Sequence, residues 1–548
     1  MNKEKRSVLL DNAKNHIDKQ RLMYCFVLTF VIGLVCHAYA YLNYQPSHDS
    51  LYEAVSNSDY WEMKIEYGRY IKPLCDMVLG KFASFPWING LIALFWLSLS
   101  AYIITDMFRI ERRRDIGLFC GILTTNITVI SMSATYFQDL SANMFALFLS
   151  LVGTHIWFDM TNRYDDLGVK KKILLSLAAA LCVFVSMGIY QAFVSVLITL
   201  VLIISVMRLL NEEAECKKVW IGDFWGAGSV IVGSVLYYGI YKLVLLVTGI
   251  EMNTSNYNSL AQLFSSELSI PELLSETFGY VFKYIFTAPY YTYPTYVTST
   301  ISIAIFAAMV ICFIVAVRNL RKNKAKKSTR ISVVFFFLMI PFAMNIVNLM
   351  GGVTHAVMIY SFWFTYIIAI LFTKHFTKIK SKMFFERANA LLLCCLIFAN
   401  IQVANAAYVK KTTEQQATLS VMTRVLDRIE SIDGYEPGVT PVAFMGVPNK
   451  YLTEYEEFED QIFITGVGYK SAITYTNIYK KYFSMILKVD INVVKNKEAV
   501  EIYDENNLDD MPAFPDNDSI KMIDGTVVVK FSDRKDRSST EKNDEANN

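Results

Sequence analysis

The stretch ILLSLAAALCVFVSMGIYQAFVSVLITLVLIISVM, residues 173–207, decides the fold. It contains 35 residues and no charged side chain, whereas one helical crossing of a membrane takes about 20 apolar residues. The segment Met187-Gly188-Ile189-Tyr190-Gln191 interrupts it near the middle and supplies a turn. The stretch therefore predicts two membrane spans, 173–189 and 191–209, joined by a tight turn.

The composition of the whole chain agrees with a membrane protein. Of its 548 residues, 54% are hydrophobic and 19% are charged, which is more apolar than soluble globular domains usually are. The formal net charge of +2 argues against a nucleic-acid binder with a basic face. Most of the nine cysteines lie inside apolar stretches, where cysteine behaves as a small hydrophobic residue. We therefore expect neither a disulfide framework nor a cysteine metal site.

Further apolar stretches bring the predicted number of spans to about eleven. The predicted spans are 22–42, 86–108, 116–136, 141–159, 173–189, 191–209, 224–248, 298–318, 331–349, 357–373 and 388–406. The first is expected to be a retained signal anchor, because no small-residue cleavage pattern follows it. The sequence thus predicts a polytopic α-helical membrane protein with a transmembrane module over residues 22–406.

Lysine and arginine predict the orientation of this module. Basic residues crowd alternate short loops, and the loops between them carry none. The basic loops are those around Arg109–Arg114, Arg163–Lys172, Arg208–Lys218, Arg318–Arg330 and Lys374–Arg387. Because basic loops stay in the cytoplasm, the N-terminal segment 1–21 is predicted to be cytoplasmic. The longer loops 43–85 and 249–297 and the C-terminus are then extracytoplasmic.

The chain changes character near Ala406. A polar helix is followed by a predicted strand at 440–446 and another at 525–531. We therefore expect a small extracytoplasmic α/β domain over residues 407–532. The charged tail 533–548 contains no aromatic residue after Phe531 and is predicted to be disordered.

The first outer loop carries the most promising acid. Asp49 follows the first predicted span at once, so it could meet both a lipid-borne substrate and a hydrophilic one. A carboxylate that is partly withdrawn from water is suited to accept a hydroxyl proton, and Asp49 is thus a candidate general base. The alternative is structural: Asp49 or Ser50 caps a helix that begins at Leu51.

Two basic residues in the same loop are candidate ligands of a phosphate group. Arg69 and Lys72 lie on the side where few basic residues are expected, and arginine binds phosphate through two parallel hydrogen bonds. In the alternative interpretation they reach toward lipid headgroups or pair with Glu62 and Glu66.

Asp139 is a second candidate catalytic acid, in a turn without basic residues. It could orient an acceptor or help to hold a metal ion, or it could merely cap a helix. His48 and His355 lack the spacing of zinc ligands, so a zinc site is not predicted, and a divalent metal ion stays an open alternative. The sequence contains no phosphate-binding glycine loop or nucleophile elbow, so cytoplasmic nucleotide-sugar chemistry is not supported.

The chain resembles the type II Gtr glucosyltransferases, membrane enzymes that decorate O-antigen. The motifs that carry the resemblance are His48-Asp49, Trp61, Gly68-Arg69-Tyr70, Pro73-Leu74, Pro86-Trp87-Ile88-Asn89-Gly90, Gly188-Ile189-Tyr190-Gln191-Ala192-Phe193 and Pro441-Val442-Ala443-Phe444-Met445-Gly446. Where the family usually has two adjacent acids, this chain has His48-Asp49. Only Asp49 therefore carries over as the catalytic acid.

The resemblance implies an enzyme of the GT-C type in the bacterial cytoplasmic membrane. Such an enzyme moves a hexose, typically glucose, from a polyprenyl-phosphate carrier to a cell-surface glycan on the outer side, and it needs no nucleic-acid partner. On this hypothesis Asp49 is the base, and Arg69 with Lys72 or Lys283 stabilises the leaving phosphate. The predicted substrate-binding residues are His48, Glu66, Tyr190, Gln191 and His355.

Two other functions fit a polytopic protein with large outer loops. A flippase or transporter of lipid-linked sugars should concentrate charge inside its spans, and apart from Lys242 little is found there. A glycan polymerase or ligase would use a diphosphate-linked donor. These alternatives remain open from the sequence.

Overall fold

The structure is a computed structural model that describes residues 18–53, 57–79, 85–252, 269–287, 295–351, 354–376, 379–453, 464 and 467–532. The predicted tail 533–548 and most of the N-terminal segment 1–21 lie outside the described residues. The described α-helices are α1 (Lys19–Leu42), α2 (His48–Tyr52), α3 (Asn57–Glu66), α4 (Lys72–Leu79), α5 (Trp87–Met107), α6 (Arg113–Thr125), α7 (Ile127–Ala134), α8 (Leu140–Asn162), α9 (Val169–Ile189), α10 (Val194–Leu210), α11 (Cys216–Thr248), α12 (Ile270–Thr287), α13 (Thr295–Lys322), α14 (Lys327–Met344), α15 (Asn348–Gly351), α16 (Phe364–Phe372), α17 (Ile379–Glu430), α18 (Tyr479–Tyr482) and α19 (Asn496–Glu505). The strands are β1 (Pro441–Met445), β2 (Asn492–Val493), β3 (Ile520–Ile523) and β4 (Thr526–Lys530).

Ten helical segments in the described part of the chain are long and apolar enough to cross a membrane. They are Lys19–Leu42, Trp87–Met107, Arg113–Ala134, Phe137–Asn162, Val169–Ile189, Gln191–Leu210, Cys216–Thr248, Val297–Lys322, Lys327–Met344 and Ile379–Glu430. The predicted division of 173–209 is confirmed, because α9 ends at Ile189 and Tyr190 is extended before the next helical segment begins. The chain is therefore a multi-pass membrane protein.

The tenth predicted span, 357–373, is not a continuous helix. It consists of 3-10 turns at Ala356–Met358 and Tyr360–Trp363, followed by the nine-residue helix α16. All residues from Tyr360 to Phe372 are buried, and irregular backbone at membrane depth is tolerated where protein surrounds it. A hydropathy pattern measures apolar length and not helical continuity, so the sequence did not predict this break.

The two ends of the helical bundle differ in charge. At one end, Arg112 pairs with Glu386 at 2.7 Å and Lys218 pairs with Asp165 at 2.6 Å. We call this the basic end, since it contains the loops predicted to face the cytoplasm. At the opposite end, just beyond α7, the Ser47 hydroxyl donates to the Thr135 carbonyl oxygen at 2.7 Å, which places α2 there.

The second predicted outer loop, 249–297, contains the helix α12 and is therefore not a loop throughout. Its first turn has a local stabilising contact: the backbone N–H and the hydroxyl of Ser269 both donate to the Glu272 carboxylate, at 2.9 Å and 2.7 Å. Ser-Ile-Pro-Glu matches a capping box, and proline is favoured in the first helical turn. This signal was present in the sequence and was missed.

The predicted strands are confirmed as part of a small C-terminal sheet. The described residues form four strands in the order β2-β1-β4-β3, with β1 parallel to β2 and β4. Strands β3 and β4 pair antiparallel across a turn at Asp524-Gly525, where both residues have positive φ, as a tight hairpin turn requires. The predicted domain boundary at 406/407 falls inside α17, which runs unbroken for 52 residues.

The C-terminal core also contains a residue from the first outer loop. Leu51 of α2 is completely buried and packs in one cluster with Val421 and Met422 of α17 and with Tyr479 and Tyr482 of α18. The short helix that carries Asp49 is thus held by the C-terminal domain.

Candidate active site

The helix α2 presents Asp49 to a cavity and is capped by a different residue. The Ser47 side chain caps the helix by accepting from the Ser50 backbone N–H at 3.1 Å. Asp49 lies in the first turn, and its side chain is 28% exposed. The alternative in which Asp49 or Ser50 caps a helix starting at Leu51 is therefore wrong, and the Asp49 carboxylate is available for other contacts.

A tight turn after α3 presents Arg69. Gly68 has a φ of 72°, which glycine adopts without strain. The Tyr237 hydroxyl donates to the Gly68 carbonyl at 3.1 Å, and the Gln191 amide donates to the Tyr67 carbonyl at 2.8 Å. These bonds from α11 and from the turn after α9 fix the backbone on both sides of the arginine.

The guanidinium group of Arg69 lies over an aromatic ring. Its Cζ is 5.0 Å from the ring centroid of Tyr190, a cation–π geometry that is favourable when water is excluded. Its Nε is buried and has no hydrogen-bond partner among the described residues. Arg69 therefore keeps hydrogen-bonding capacity for a ligand.

A buried network of charges lies beneath the cavity. Lys72 contacts Asp139 and, at 3.4 Å, Asp76. Lys64 lies 2.5 Å from Glu53 and 3.4 Å from Asp139. The pairs compensate one another, as buried charges must.

Burial and charge shift the pKa values of this network in opposite senses. Burial alone would lower the pKa of Lys72, but Asp139 and the other neighbouring acidic groups raise it well above its usual value. Burial and the nearby Asp139 charge raise the pKa of Glu53, although Lys64 opposes them. Burial lowers the pKa of His355, so this imidazole is neutral near pH 7.

These groups surround a cavity of about 150 Å³. Its lining contains acids, basic residues and aromatic rings on separate elements. The lining residues are Asp49, Tyr52, Glu53, Met63, Lys64, Tyr67, Arg69, Tyr136, Asp139, Asn143, Tyr190, His355, Val357 and Met358. Small clefts with a few convergent polar groups are the usual form of ligand sites.

Five of the ten predicted site residues line this cavity, namely Asp49, Arg69, Asp139, Tyr190 and His355. Asp139 does not cap α8, since it makes no side-chain capping bond. Its carboxylate instead faces two lysines, Lys64 and Lys72. The cavity thus unites residues that are distant in the sequence.

The other five predicted residues lie elsewhere. Lys72 is 0% exposed and pairs with Asp139 and Asp76, so neither headgroup contact nor pairing with Glu62 and Glu66 describes it. Gln191 supports the backbone of the arginine turn, as described above.

His48 lies 3.4 Å from the Asp49 carboxylate, and its ring meets Tyr469 and Tyr475 edge to face. The backbone carbonyl of Glu66 accepts a hydrogen bond from the Tyr241 hydroxyl at 2.8 Å. Lys283 is exposed on α12. None of these three belongs to the described cavity lining.

The structure adds Glu53 and Lys64, which sequence reasoning missed. Lys64 stands between Met63 and Ile65 on the side where basic residues are rare, and that isolation was the available signal. No comparable sequence signal marks Glu53, because its contact with Lys64 depends on how the helices α2 and α3 pack against each other.

A metal site is not apparent in the described part of the chain. No group of three or more histidine, cysteine, aspartate or glutamate side chains is placed to hold an ion there. Asp139 and Glu53, the most buried acids of the cavity, already face lysines. The donor set therefore resembles a neutralised charge network more than a metal centre.

Comparison with known proteins agrees with this chemistry. The family model described as glucosyl transferase GtrII matches residues 38–376, which include every lining residue of the cavity. Searches of curated proteins and of solved structures gave no match. Since the family model covers more than half of the chain, the protein belongs to the GtrII glucosyltransferase family and is a membrane glycosyltransferase.

Proposed function

We propose that the protein transfers a hexose, glucose in the simplest case, from a polyprenyl-phosphate carrier to a cell-surface glycan on the extracytoplasmic side. One observation carries the proposal: a single cavity contains an available carboxylate, Asp49, and two basic groups, Arg69 and Lys64. Transfer from a sugar phosphate requires both a proton acceptor and stabilisation of the leaving phosphate.

The proposed reaction is a single displacement at the anomeric carbon. The acceptor hydroxyl oxygen attacks this carbon, and its proton passes to the Asp49 carboxylate. The bond between the anomeric carbon and the phosphate oxygen breaks, and its electron pair stays on the phosphate. The released polyprenyl phosphate gains one negative charge, and the sugar inverts its configuration.

Arg69 and Lys64 are the proposed partners of this growing charge. Arg69 has an unused N–H at the cavity, and Lys64 lines the same wall. Lys64 takes the role that the sequence suggested for Lys72, because Lys72 does not line the cavity. Lys72 instead neutralises Asp139, so that the phosphate is not repelled.

An apolar groove between α10, α11 and α14 suits the lipid part of the donor. It has a volume of about 370 Å³ and is lined by side chains such as Leu197, Phe224, Phe336 and Ile346. Polyprenyl chains are purely apolar, and such a groove would bind one by van der Waals packing, since the surrounding lipid is equally apolar.

The distribution of basic residues supports an orientation in which the cavity faces the extracytoplasmic side. The cavity lies at the end of the bundle opposite the basic end, and basic loops remain in the cytoplasm. The cavity would then open on the extracytoplasmic side, where a sugar on a lipid carrier arrives already activated. No nucleotide-binding motif is needed for that reaction.

The test is transfer or hydrolysis of polyprenyl-phosphate-glucose by the purified protein, with candidate glycans as acceptors. Asp49→Asn should lower turnover by about 10²–10⁴-fold, the usual contribution of general-base catalysis. Asp59→Asn is the matched control, since Asp59 is exposed in the same outer loop and outside the cavity. Equal turnover in wild type and Asp49→Asn would remove Asp49 from the reaction. Turnover only with a diphosphate-linked donor would identify a polymerase or ligase instead.

A further inference from the structure

Glu53 has one carboxylate oxygen that the protein does not use. The side chain lines the cavity one helical turn after Asp49, and the residue is 7% exposed. Its Oε1 accepts from Lys64 at 2.5 Å. Its Oε2 is buried and accepts no hydrogen bond from the described residues.

A buried carboxylate oxygen without a donor is unfavourable. Pairing with Lys64 does not account for it, because Lys64 also lies 3.4 Å from Asp139 and one oxygen of Glu53 suffices for the contact. An oxygen that stays unsatisfied in the free protein and borders a ligand cavity is well placed to be satisfied by the ligand.

The chemistry of the oxygen defines what it binds. The Lys64 ammonium group, 2.5 Å from Oε1, favours the ionised form of Glu53. An ionised carboxylate only accepts hydrogen bonds, so its partner must be a donor. A phosphate oxygen placed against Oε2 would be repelled, because Lys64 contacts the other oxygen, Oε1. A sugar hydroxyl is a neutral donor of suitable size for this narrow cavity.

We infer that Glu53 accepts a hydrogen bond from a ring hydroxyl of the transferred hexose while Arg69 holds the donor phosphate. The inference rests on the proposed function and assigns the donor sugar, rather than the acceptor, to the Glu53 wall of the cavity. Asp49, which is more exposed, remains for the incoming acceptor. Glu53 is therefore a specificity-determining residue.

A site built to bind a hydroxyl discriminates against a substrate that lacks it. For one hydrogen bond to a charged group we expect a loss of about 10- to 100-fold. The experiment measures kcat/KM for polyprenyl-phosphate-glucose and for analogues that each lack one ring hydroxyl, with wild type, Glu53→Gln and the control Glu62→Gln. Glu62 is exposed on α3.

In wild type and Glu62→Gln, kcat/KM for one deoxy donor should be about 10- to 100-fold lower than for polyprenyl-phosphate-glucose. In Glu53→Gln the penalty for that same donor should fall to within about threefold, because an amide makes a weaker neutral hydrogen bond. Binding of polyprenyl phosphate shows whether the Glu53→Gln protein is folded. If that variant does not fold, the same measurements are made with Glu53→Asp.

The inference is overturned if Glu53→Gln slows all donors by the same factor, since this is the behaviour of a counter-ion of Lys64. A wild-type protein that turns over no polyprenyl-phosphate hexose would overturn the proposed function, and this inference with it. The two failures are distinguishable, because the second is already visible in measurements on wild type and needs no variant.

Discussion

Leu51 joins the first outer loop to the C-terminal domain, and its removal should loosen both. Leu51→Ala deletes three carbon atoms from a completely buried side chain. At about 0.8 kcal/mol per buried CH₂ the lost transfer free energy is about 2.4 kcal/mol, and the remaining cavity raises the total to about 2.7–5 kcal/mol. Since about 1.4 kcal/mol corresponds to tenfold in an equilibrium constant, local opening of the core should become at least about 50-fold more frequent.

Hydrogen exchange of the backbone amides of β1, followed by mass spectrometry, measures this opening. Leu51→Ala should speed their exchange and also lower transferase turnover, because Asp49 lies on the same five-residue helix. Leu419→Ala is the control, since Leu419 is 42% exposed on α17. If both variants exchange alike, Leu51 does not belong to the C-terminal core and the proposed support of Asp49 fails.

Three further predictions concern the support of the cavity. Lys72→Met should lower the free energy of unfolding by about 3–5 kcal/mol, because it leaves buried carboxylates without their cation. The pKa of Lys72 is raised in the folded protein, so its contribution to stability is complete below the usual lysine pKa and is lost only as the pH rises through the folded-state pKa. Chemical denaturation should therefore give the same loss of stability at pH 6 and pH 9. Gly188→Ala should reduce kcat/KM, because a Cβ there would lie 2.5 Å from Ile71 Cδ1. Adding Ile71→Ala to this variant should restore its activity. Gly228→Ala is the control and should have no effect, because the space around Gly228 is open. Ser58→Cys should react with a membrane-impermeant maleimide added from outside to spheroplasts, and reaction only after lysis would reverse the proposed orientation.

Much of the fold follows from local sequence signals. Apolar length located ten of the described spans, and lysine and arginine separated the basic end from the cavity end. Short runs of consecutive apolar residues located β1 and β4. Each of these signals depends on residues close together in the chain, and for that reason the sequence reveals them.

The site depended on contacts between distant residues. Asp49 and Arg69 were found from their chemistry and their place in the first outer loop. Lys64, in contrast, acquires its role only when α3 packs beside Glu53, and the burial of Lys72 depends on Asp139, 67 positions away. No periodicity records such pairings, so they became visible only in three dimensions.

The helix α17 continues from the helical bundle into the C-terminal core without a break. From the end of its apolar part near residue 406 to Glu430 the helix extends about 36 Å, at about 1.5 Å per residue. Two contacts from one face of the helix, from Lys411 to the Ala134 carbonyl and from Gln415 to the Pro46 carbonyl, tie it to the end of the bundle that contains the cavity. Because the helix runs unbroken through these contacts, an acceptor glycan, under the proposed function, has to reach the cavity at a fixed position on the bundle.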